Sequence, residues 1–172
     1  MRVLVISDTH GDISRLGDVL DACSPIGVLD HIIHLGDGAR DMDRLAEKIA
    51  AEFPRAVVHG VQGNNDFSAP WLPPCLTLSL RRQMLFAVHG HHHGVKQGLS
   101  RLDEASAAAG CQVTLFGHTH RPLMQMGHTL LLNPGSVMDG RYLLLTLDEQ
   151  GRCKPQLRSL RDDLDPDNAV SQ

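Results

Sequence analysis

Polar residues that can bind a metal ion follow several apolar segments of the sequence. The first segment, Val3 to Ile6, is followed at once by Asp8 and His10, and Asp37 follows a second apolar run. Side chains two residues apart point the same way in an extended chain, so Asp8 and His10 can reach one ion. Each set taken alone is also typical of an ordinary polar turn.

The same pattern recurs later in the chain. Asn64, His89 and the pair His118 and His120 each follow a further apolar run. Singly, Asn64 could form an Asx turn and His89 could be a buried core histidine. With the earlier residues they make seven nitrogen or oxygen ligands, too many for one ion that must also admit a substrate. They suit two ions that share a carboxylate, and Asp37 is the expected bridge.

The elements that must position these residues follow from apolar spacing. Helical periodicity covers 13–23 and 40–53, and strand-like runs cover 28–35 and 56–61 in addition to the first strand. Strands joined by helices pair in parallel, and their carboxyl ends then meet at one edge of a sheet. An α/β fold would therefore bring the candidate ligands together.

The second half of the chain has a different pattern. Residues 75–80 and 84–88 predict a hairpin, 96–109 a helix and 112–116 a strand. Runs at 123–126, 129–132, 142–147 and 154–157 predict an antiparallel second sheet. The segment 161–172 is polar and acidic and predicts a disordered tail, which leaves 1–160 as a single domain.

The composition narrows the class of protein. Of 172 residues, 42% are hydrophobic and 21% charged, and no apolar run approaches the ~20 residues that span a bilayer. No basic and apolar leader precedes the first strand, so we expect a cytoplasmic protein. A formal charge of −4 without a basic cluster disfavours binding of duplex nucleic acid. We expect the four cysteines to be buried and free.

Five motifs occur in the order Asp8-x-His10, Gly36-Asp37, Gly63-Asn64-x-Asp66, His89-Gly90-His91 and Gly117-His118-x-His120, followed by Asn133-Pro134-Gly135-Ser136. In these motifs the chain resembles the calcineurin-like metallophosphoesterase superfamily, and most closely its YfcE-like phosphodiesterases. The resemblance implies a four-layer αββα sandwich of the metallophosphoesterase type. It also implies a division of the ligands, with Asp8, His10, Asp37 and His120 around one metal and Asp37, Asn64, His89 and His118 around the other.

The resemblance also implies the chemistry. We expect two divalent ions, Mn²⁺ first, with Ni²⁺, Fe²⁺, Co²⁺ or Zn²⁺ as alternatives, since sulfur ligands are absent and imidazoles disfavour Ca²⁺. The expected reaction is hydrolysis of a small phosphodiester or a nucleotide by attack of a metal-bridging hydroxide. Neither the physiological substrate nor a homo-oligomer can be identified from the sequence.

One position departs from many members of the superfamily. Asn65 stands where they have a histidine that is thought to protonate the leaving group, and YfcE-like proteins often lack that histidine too. We expect Asn65 to stabilise charge on the phosphoryl oxygens, and we consider His91 as an alternative acid or as a plain loop residue. Asp66 is expected to orient a ligand histidine. The remaining histidines, at positions 31, 34, 59, 92, 93 and 128, have no predicted role.

Two other functions remain open at this stage. Within enzymes, the chain could be a phosphomonoesterase or a hydrolase of dinucleoside polyphosphates, although Asn65 disfavours monoesters with poor leaving groups. In a different class, Vps29-like members of the superfamily use the fold as a protein-binding scaffold. Their ligand set is degraded, whereas every ligand position is filled here, and this favours the enzyme.

Overall fold

The computed structural model describes residues 1–38 and 40–161. A first mixed sheet contains strands β1 (Arg2–Ile6), β2 (His31–His34), β3 (Val57–Gly60), β9 (Arg141–Leu147) and β10 (Cys153–Ser159). Its strand order is β10-β9-β1-β2-β3. Strands β1, β2 and β3 pair in parallel, as predicted, and β9 runs antiparallel to β1 and to β10.

A second mixed sheet contains β4 (Cys75–Leu80), β5 (Gln83–Val88), β6 (Val113–Phe116), β7 (Leu123–Met126) and β8 (Leu130–Asn133). Its strand order is β4-β5-β6-β8-β7, and β5, β6 and β8 run parallel. The prediction that the last third forms an antiparallel sheet by itself was wrong. Strands β7 and β8 belong to the second sheet, together with the β4–β5 hairpin, whereas β9 and β10 belong to the first sheet.

Among the described residues, the helices that connect the strands are α1 (Ile13–Cys23), α2 (Asp41–Arg44), α3 (Ala46–Glu52) and α4 (Ser100–Ala108). Helix α1 begins after Asp12, whose carboxylate accepts a hydrogen bond from the Arg15 amide. The single helix predicted over 40–53 is two helices, because the backbone of Leu45 departs from helical geometry with φ −105° and ψ 12°. The other helices and strands lie within a few residues of their predicted bounds.

Apolar side chains fill three layers of core. Leu4 and Ile6 of β1 pack under α1, whereas Val3 and Val5 of the same strand pack between the two sheets. A third cluster lies between the second sheet and α4 and includes Leu102. This arrangement of helix, sheet, sheet and helix confirms the four-layer αββα fold. It also explains why β1 is apolar on both faces.

The remaining predictions about the fold concern the cysteines, the C-terminal tail and membrane-spanning segments. Cys23 and Cys111 are buried as predicted, but Cys75 is exposed at the start of edge strand β4, so that prediction was wrong for Cys75. Cys153 is half-buried, and burial raises the pKa of its thiol to about 11; none of the four cysteines forms a disulfide. The predicted tail and the boundary at 160 stay predictions, since 162–172 lie outside the described residues. Among the described helices, none has the length and apolar character needed to cross a membrane.

Candidate metal centre

The seven candidate ligands converge from strand ends of both sheets. The first sheet provides Asp8, His10, Asp37 and Asn64 after β1, β2 and β3, and the second provides His89, His118 and His120 after β5 and β6. Backbone hydrogen bonds join neighbouring ligand loops: the Asp8 amide donates to the Gly36 carbonyl at 3.0 Å, and the His10 amide donates to the Asp37 carbonyl at 2.9 Å. The carboxyl ends of parallel strands in two packed sheets thus form one site.

The Asp8 carboxylate lies among three of the histidines. Its Oδ1 atom is 3.1 Å from His120 Nε2, 3.8 Å from His10 Nε2 and 4.0 Å from His89 Nε2. This oxygen is buried and has no hydrogen-bond partner among the described residues. A buried carboxylate oxygen without a donor is costly unless a cation compensates it. Ligand atoms of Asp8, His10 and His120 lie within 4.8 Å of one another, which fits one divalent ion.

Asp37 occupies the position expected of a bridging ligand. Its Oδ2 atom is 3.8 Å from Nε2 of His10, in the first predicted site, and 3.5 Å from Nε2 of His89, in the second. Ligand atoms of Asp8, Asp37 and His89 also lie within 4.8 Å of one another. Asp8 therefore lies close to both predicted metal positions. The assignment implied by the family resemblance had placed it at only one of them.

The second predicted metal position is centred on His89. Its Nε2 atom lies 3.1 Å from both Asn64 Oδ1 and His118 Nδ1. Its Nδ1 atom is 2.8 Å from the Leu35 carbonyl and donates to it, so the ring is oriented with Nε2 facing the site. Burial, reinforced by the nearby charges of His89 and Lys96, lowers the pKa of His118 to about 4. The His118 ring is therefore neutral near pH 7 and can bind a metal.

Most of the predicted ligand residues adopt a strained backbone conformation. Asp8, His10, Asp37, His118 and His120, five of the seven, have φ angles between 47° and 66°. Residues other than glycine seldom adopt this left-handed region, which costs of order 1–3 kcal/mol each and persists where surrounding structure enforces it. The concentration of these conformations on the predicted ligands is independent evidence for a functional site.

Two glycines let the ligand loops approach closely. A Cβ atom on Gly63 would lie 2.2 Å from both the amide nitrogen and Oδ1 of Asp37. A Cβ atom on Gly117 would lie 1.9 Å from Ser7 Oγ and 2.9 Å from Asp8 Oδ2. Any larger residue at either position would separate loops that carry ligands.

Asp66 braces two of these loops. Its buried carboxylate accepts hydrogen bonds from the amides of Asp37 at 2.7 Å, Gly63 at 2.8 Å and Gly38 at 2.9 Å. This carboxylate thus holds the backbone beside Asp37 and Asn64, and the Leu35 carbonyl accepts a hydrogen bond from the His89 ring. The predicted role of Asp66 in orienting a ligand histidine stays a prediction.

A buried network beneath the site was missed by the sequence analysis. Gly36 donates its amide to His34 Nδ1 at 3.1 Å, and His34 Nε2 lies 3.2 Å from Thr9 Oγ1. The Thr9 hydroxyl donates to Asp41 Oδ2 at 2.6 Å. Burial lowers the pKa of His34, although the nearby carboxylates oppose this, so the ring stays neutral and links the β1 and β2 loops. Nothing in the sequence distinguished His34 or Asp41 from other polar residues near strand and helix ends.

Residues 133–136, at the end of β8 in the second sheet, contact the loops that carry Asp8 and His118. Asn133 donates its side-chain amide to the Gly117 carbonyl at 2.9 Å, and Ser136 donates its hydroxyl to the Asp8 carbonyl at 2.8 Å. Both residues are completely buried. The motif at 133–136 therefore positions ligand loops through their backbone.

The two residues considered for direct roles in the reaction lie beside the ligands. Asn65 donates its backbone amide to Asp37 Oδ1 at 2.7 Å and its side-chain amide to Asp37 Oδ2 at 2.6 Å. The ring centroid of His91 is 5.4 Å from that of His89 and 6.1 Å from that of His118. Burial and the neighbouring His92 lower the pKa of His91. Their predicted roles in binding substrate and donating a proton stay predictions.

Comparisons with known proteins agree with this geometry. The model of the calcineurin-like phosphoesterase superfamily domain matches residues 1–150. A probable metallophosphoesterase, YsnB of Bacillus subtilis (strain 168), is 34% identical over 155 residues, which cover 86% of this chain and 85% of that protein. The family match covers every residue of the candidate site.

Solved structures share the fold. A predicted phosphoesterase of Streptococcus pneumoniae TIGR4 matches with a TM-score of 0.71 and 26% identity, covering 93% of this chain and 90% of that one. Vps29 of Entamoeba histolytica in complex with Zn²⁺ matches with a TM-score of 0.65 and 19% identity, covering 93% of this chain and 99% of that one. The second likeness concerns the fold alone. With its family model matched over most of its length, the chain belongs to the calcineurin-like phosphoesterase superfamily.

Proposed function

We propose that this chain is a dinuclear metal-dependent phosphodiesterase that acts on small phosphodiesters or nucleotides. The observation that supports this proposal is the buried Asp8 Oδ1 atom, which has no hydrogen-bond donor among the described residues and faces three histidines. Asp37 lies between the two groups of ligands, as a shared carboxylate would. The expected metal is Mn²⁺, and the expected compartment is the cytoplasm.

The residues of the chain perform three tasks in this proposal. Asp8, His10, Asp37 and His120 would hold one ion, and Asp37, Asn64, His89 and His118 the other. When bound, two divalent cations lower the pKa of water and draw negative charge from phosphoryl oxygens. Asp66, Asn133 and Ser136 keep the ligand loops in register, so little reorganisation is needed when substrate binds.

The preference for diesters follows from position 65. Asn65 cannot donate a proton as an acid, and its side-chain amide already donates to Asp37. Expulsion of a poor leaving group is therefore unassisted at this position, which favours diesters with a stable leaving group over ordinary monoesters. The ratio of rates on p-nitrophenyl phosphate and bis-p-nitrophenyl phosphate separates a monoesterase from a diesterase.

The direct test uses metal-stripped protein and bis-p-nitrophenyl phosphate, with Mn²⁺ or Ni²⁺ added back. We expect turnover only with metal, and two ions per chain by elemental analysis. Asp37→Ala should lose turnover and bound metal, whereas Asp43→Ala, at an exposed carboxylate on α2, should keep both. Absence of activity with every metal would refute the enzyme, and a metal-free protein that binds a protein partner would favour the scaffold class instead.

A further inference from the structure

An open cavity of about 400 Å³ lies next to the candidate metal centre. The cavity is lined by two basic residues, Lys96 and Arg121, and by apolar residues such as Leu99 and Phe116. This volume lies within the range of pockets that bind small molecules. None of the predicted metal ligands lines this cavity, so it is a separate pocket beside the candidate metal centre.

The cavity is joined to the metal centre through one short loop. Thr119, which lines the cavity, stands between the predicted ligands His118 and His120. The Thr119 hydroxyl accepts hydrogen bonds from the Asn133 side chain at 3.1 Å and from the Arg121 amide at 3.3 Å, which fixes this loop. A ligand that spans the loop would therefore reach the metal centre with one end and the cavity with the other.

The charge of the cavity selects the kind of group that it can bind. Its lining contains two cations and no carboxylate, although the chain as a whole has a formal charge of −4. Within 1–38 and 40–161, neither the Lys96 ammonium nor the Arg121 guanidinium forms an ion pair or a hydrogen bond. Two such cations over an apolar floor suit a phosphate group carried on a carbon skeleton.

We propose that Lys96 and Arg121 bind a second phosphate group of the substrate, so that the preferred substrate is a small phosphodiester with an additional terminal phosphate. The half-buried apolar residues Leu99 and Leu123, which also line the cavity, would contact the carbon skeleton between the two phosphates. This inference rests on the proposed phosphodiesterase function and adds the class of substrate. The diester would then lie at the candidate ligand residues, where bound metal would supply the hydrolytic chemistry, while the cavity would select the second phosphate.

The test compares two esters that differ only in the additional phosphate. Thymidine 5′-(p-nitrophenyl phosphate) and its 3′-phosphorylated form release the same p-nitrophenolate. We expect the Mn²⁺-loaded protein to have a higher kcat/KM on the phosphorylated ester, by about tenfold for each cation. In Lys96→Gln/Arg121→Gln this preference should fall to about one.

A matched control removes the same charge elsewhere. Arg82 lies in the β4–β5 turn and Lys154 on β10, and both are exposed. Arg82→Gln/Lys154→Gln should retain the preference for the phosphorylated ester. Equal kcat/KM on both esters in the unaltered protein, or an undiminished preference in the Lys96 and Arg121 variant, would overturn the proposal.

A binding measurement separates this proposal from the enzymatic one. Calorimetric titration of the metal-stripped protein with thymidine 3′,5′-bisphosphate reports on the cavity without catalysis. We expect the Kd to rise about 100-fold in Lys96→Gln/Arg121→Gln and to stay unchanged in the control. If neither ester is hydrolysed but this difference in Kd is present, the phosphodiesterase proposal fails and the phosphate site stands. If both variants bind equally, the phosphate site is wrong whatever the activity.

Discussion

Substitution of Asp66 by asparagine tests the brace beneath the metal centre. The Asp66 carboxylate accepts three backbone amides, at 2.7, 2.8 and 2.9 Å, and the residue is buried. Asparagine has the same shape but only one oxygen, and its amide group is itself a donor. If that oxygen accepts the amides of Asp37 and Gly63, the Gly38 amide faces another donor.

The size of the effect follows from these contacts. A hydrogen bond to a charged group contributes about 1.5–3 kcal/mol, and Asp66→Asn loses at least one and weakens two others. We expect the free energy of unfolding to fall by about 3 kcal/mol, which lowers the urea midpoint by roughly 1.5 M for a slope of about 2 kcal/mol per M. Because the braced loops carry Asp37 and Asn64, affinity for Mn²⁺ should fall by roughly 10–100-fold.

The assay combines urea unfolding of the metal-stripped protein with a competition titration for Mn²⁺. Asp43→Asn makes the same chemical change at an exposed site on α2 and should change neither quantity. Asp66→Ala removes both acceptor oxygens, and with them all three hydrogen bonds, and should be less stable than Asp66→Asn. If Asp66→Asn unfolds at the same urea concentration as Asp43→Asn and binds Mn²⁺ equally well, the bracing role is wrong.

Three further outcomes are expected. His10→Ala should reduce bound metal from two ions to one by elemental analysis, and equal loss of both ions would show that the division of ligands is wrong. Gly63→Ala should lower both stability and metal affinity, because its Cβ would lie 2.2 Å from Asp37 Oδ1, whereas Gly98→Ala, with open space around it, should not. Burial alone would raise the pKa of Asp103, but hydrogen bonds from two amides and a hydroxyl at the β7–β8 turn lower it overall. The Asp103 carboxylate therefore stabilises the fold at pH values above 3.8, the ordinary pKa of an aspartate. This contribution is lost as the pH falls through the lowered pKa of the folded state. Asp103→Asn should be less stable by about 1–3 kcal/mol at pH 7. In unfolding curves from pH 7 to pH 3 this difference should narrow below pH 4, and a constant difference would contradict the assignment.

The candidate ligand residues could be predicted from sequence because each of them lies close to the end of an apolar strand. The order of the five motifs then indicated the family and the division of the ligands between two ions. Asp8 and Asp37 were identified in this way, and the structure brings both of them to the same centre. Parallel pairing of the first three strands was also predictable, since helices join β1 to β2 and β2 to β3.

Features that depend on long-range pairing could not be predicted. Nothing local distinguishes β8, which joins the second sheet beside β6, from β9, which returns to β1. The break at Leu45 was hidden by apolar spacing that continues across it. Thr9, His34 and Asp41 form their network only after β1, β2 and α2 have packed, so no spacing in the sequence reveals it.

The left-handed backbone of the ligand residues has a consequence for how such a chain can change over time. Glycine adopts this conformation without penalty, so replacing His10 or His118 by glycine would remove strain as well as a ligand. Selection for folding alone and selection for metal binding therefore act in opposite directions at these positions. A descendant no longer selected for the proposed metal binding would gain stability as it lost these side chains, and would keep the same architecture for another purpose.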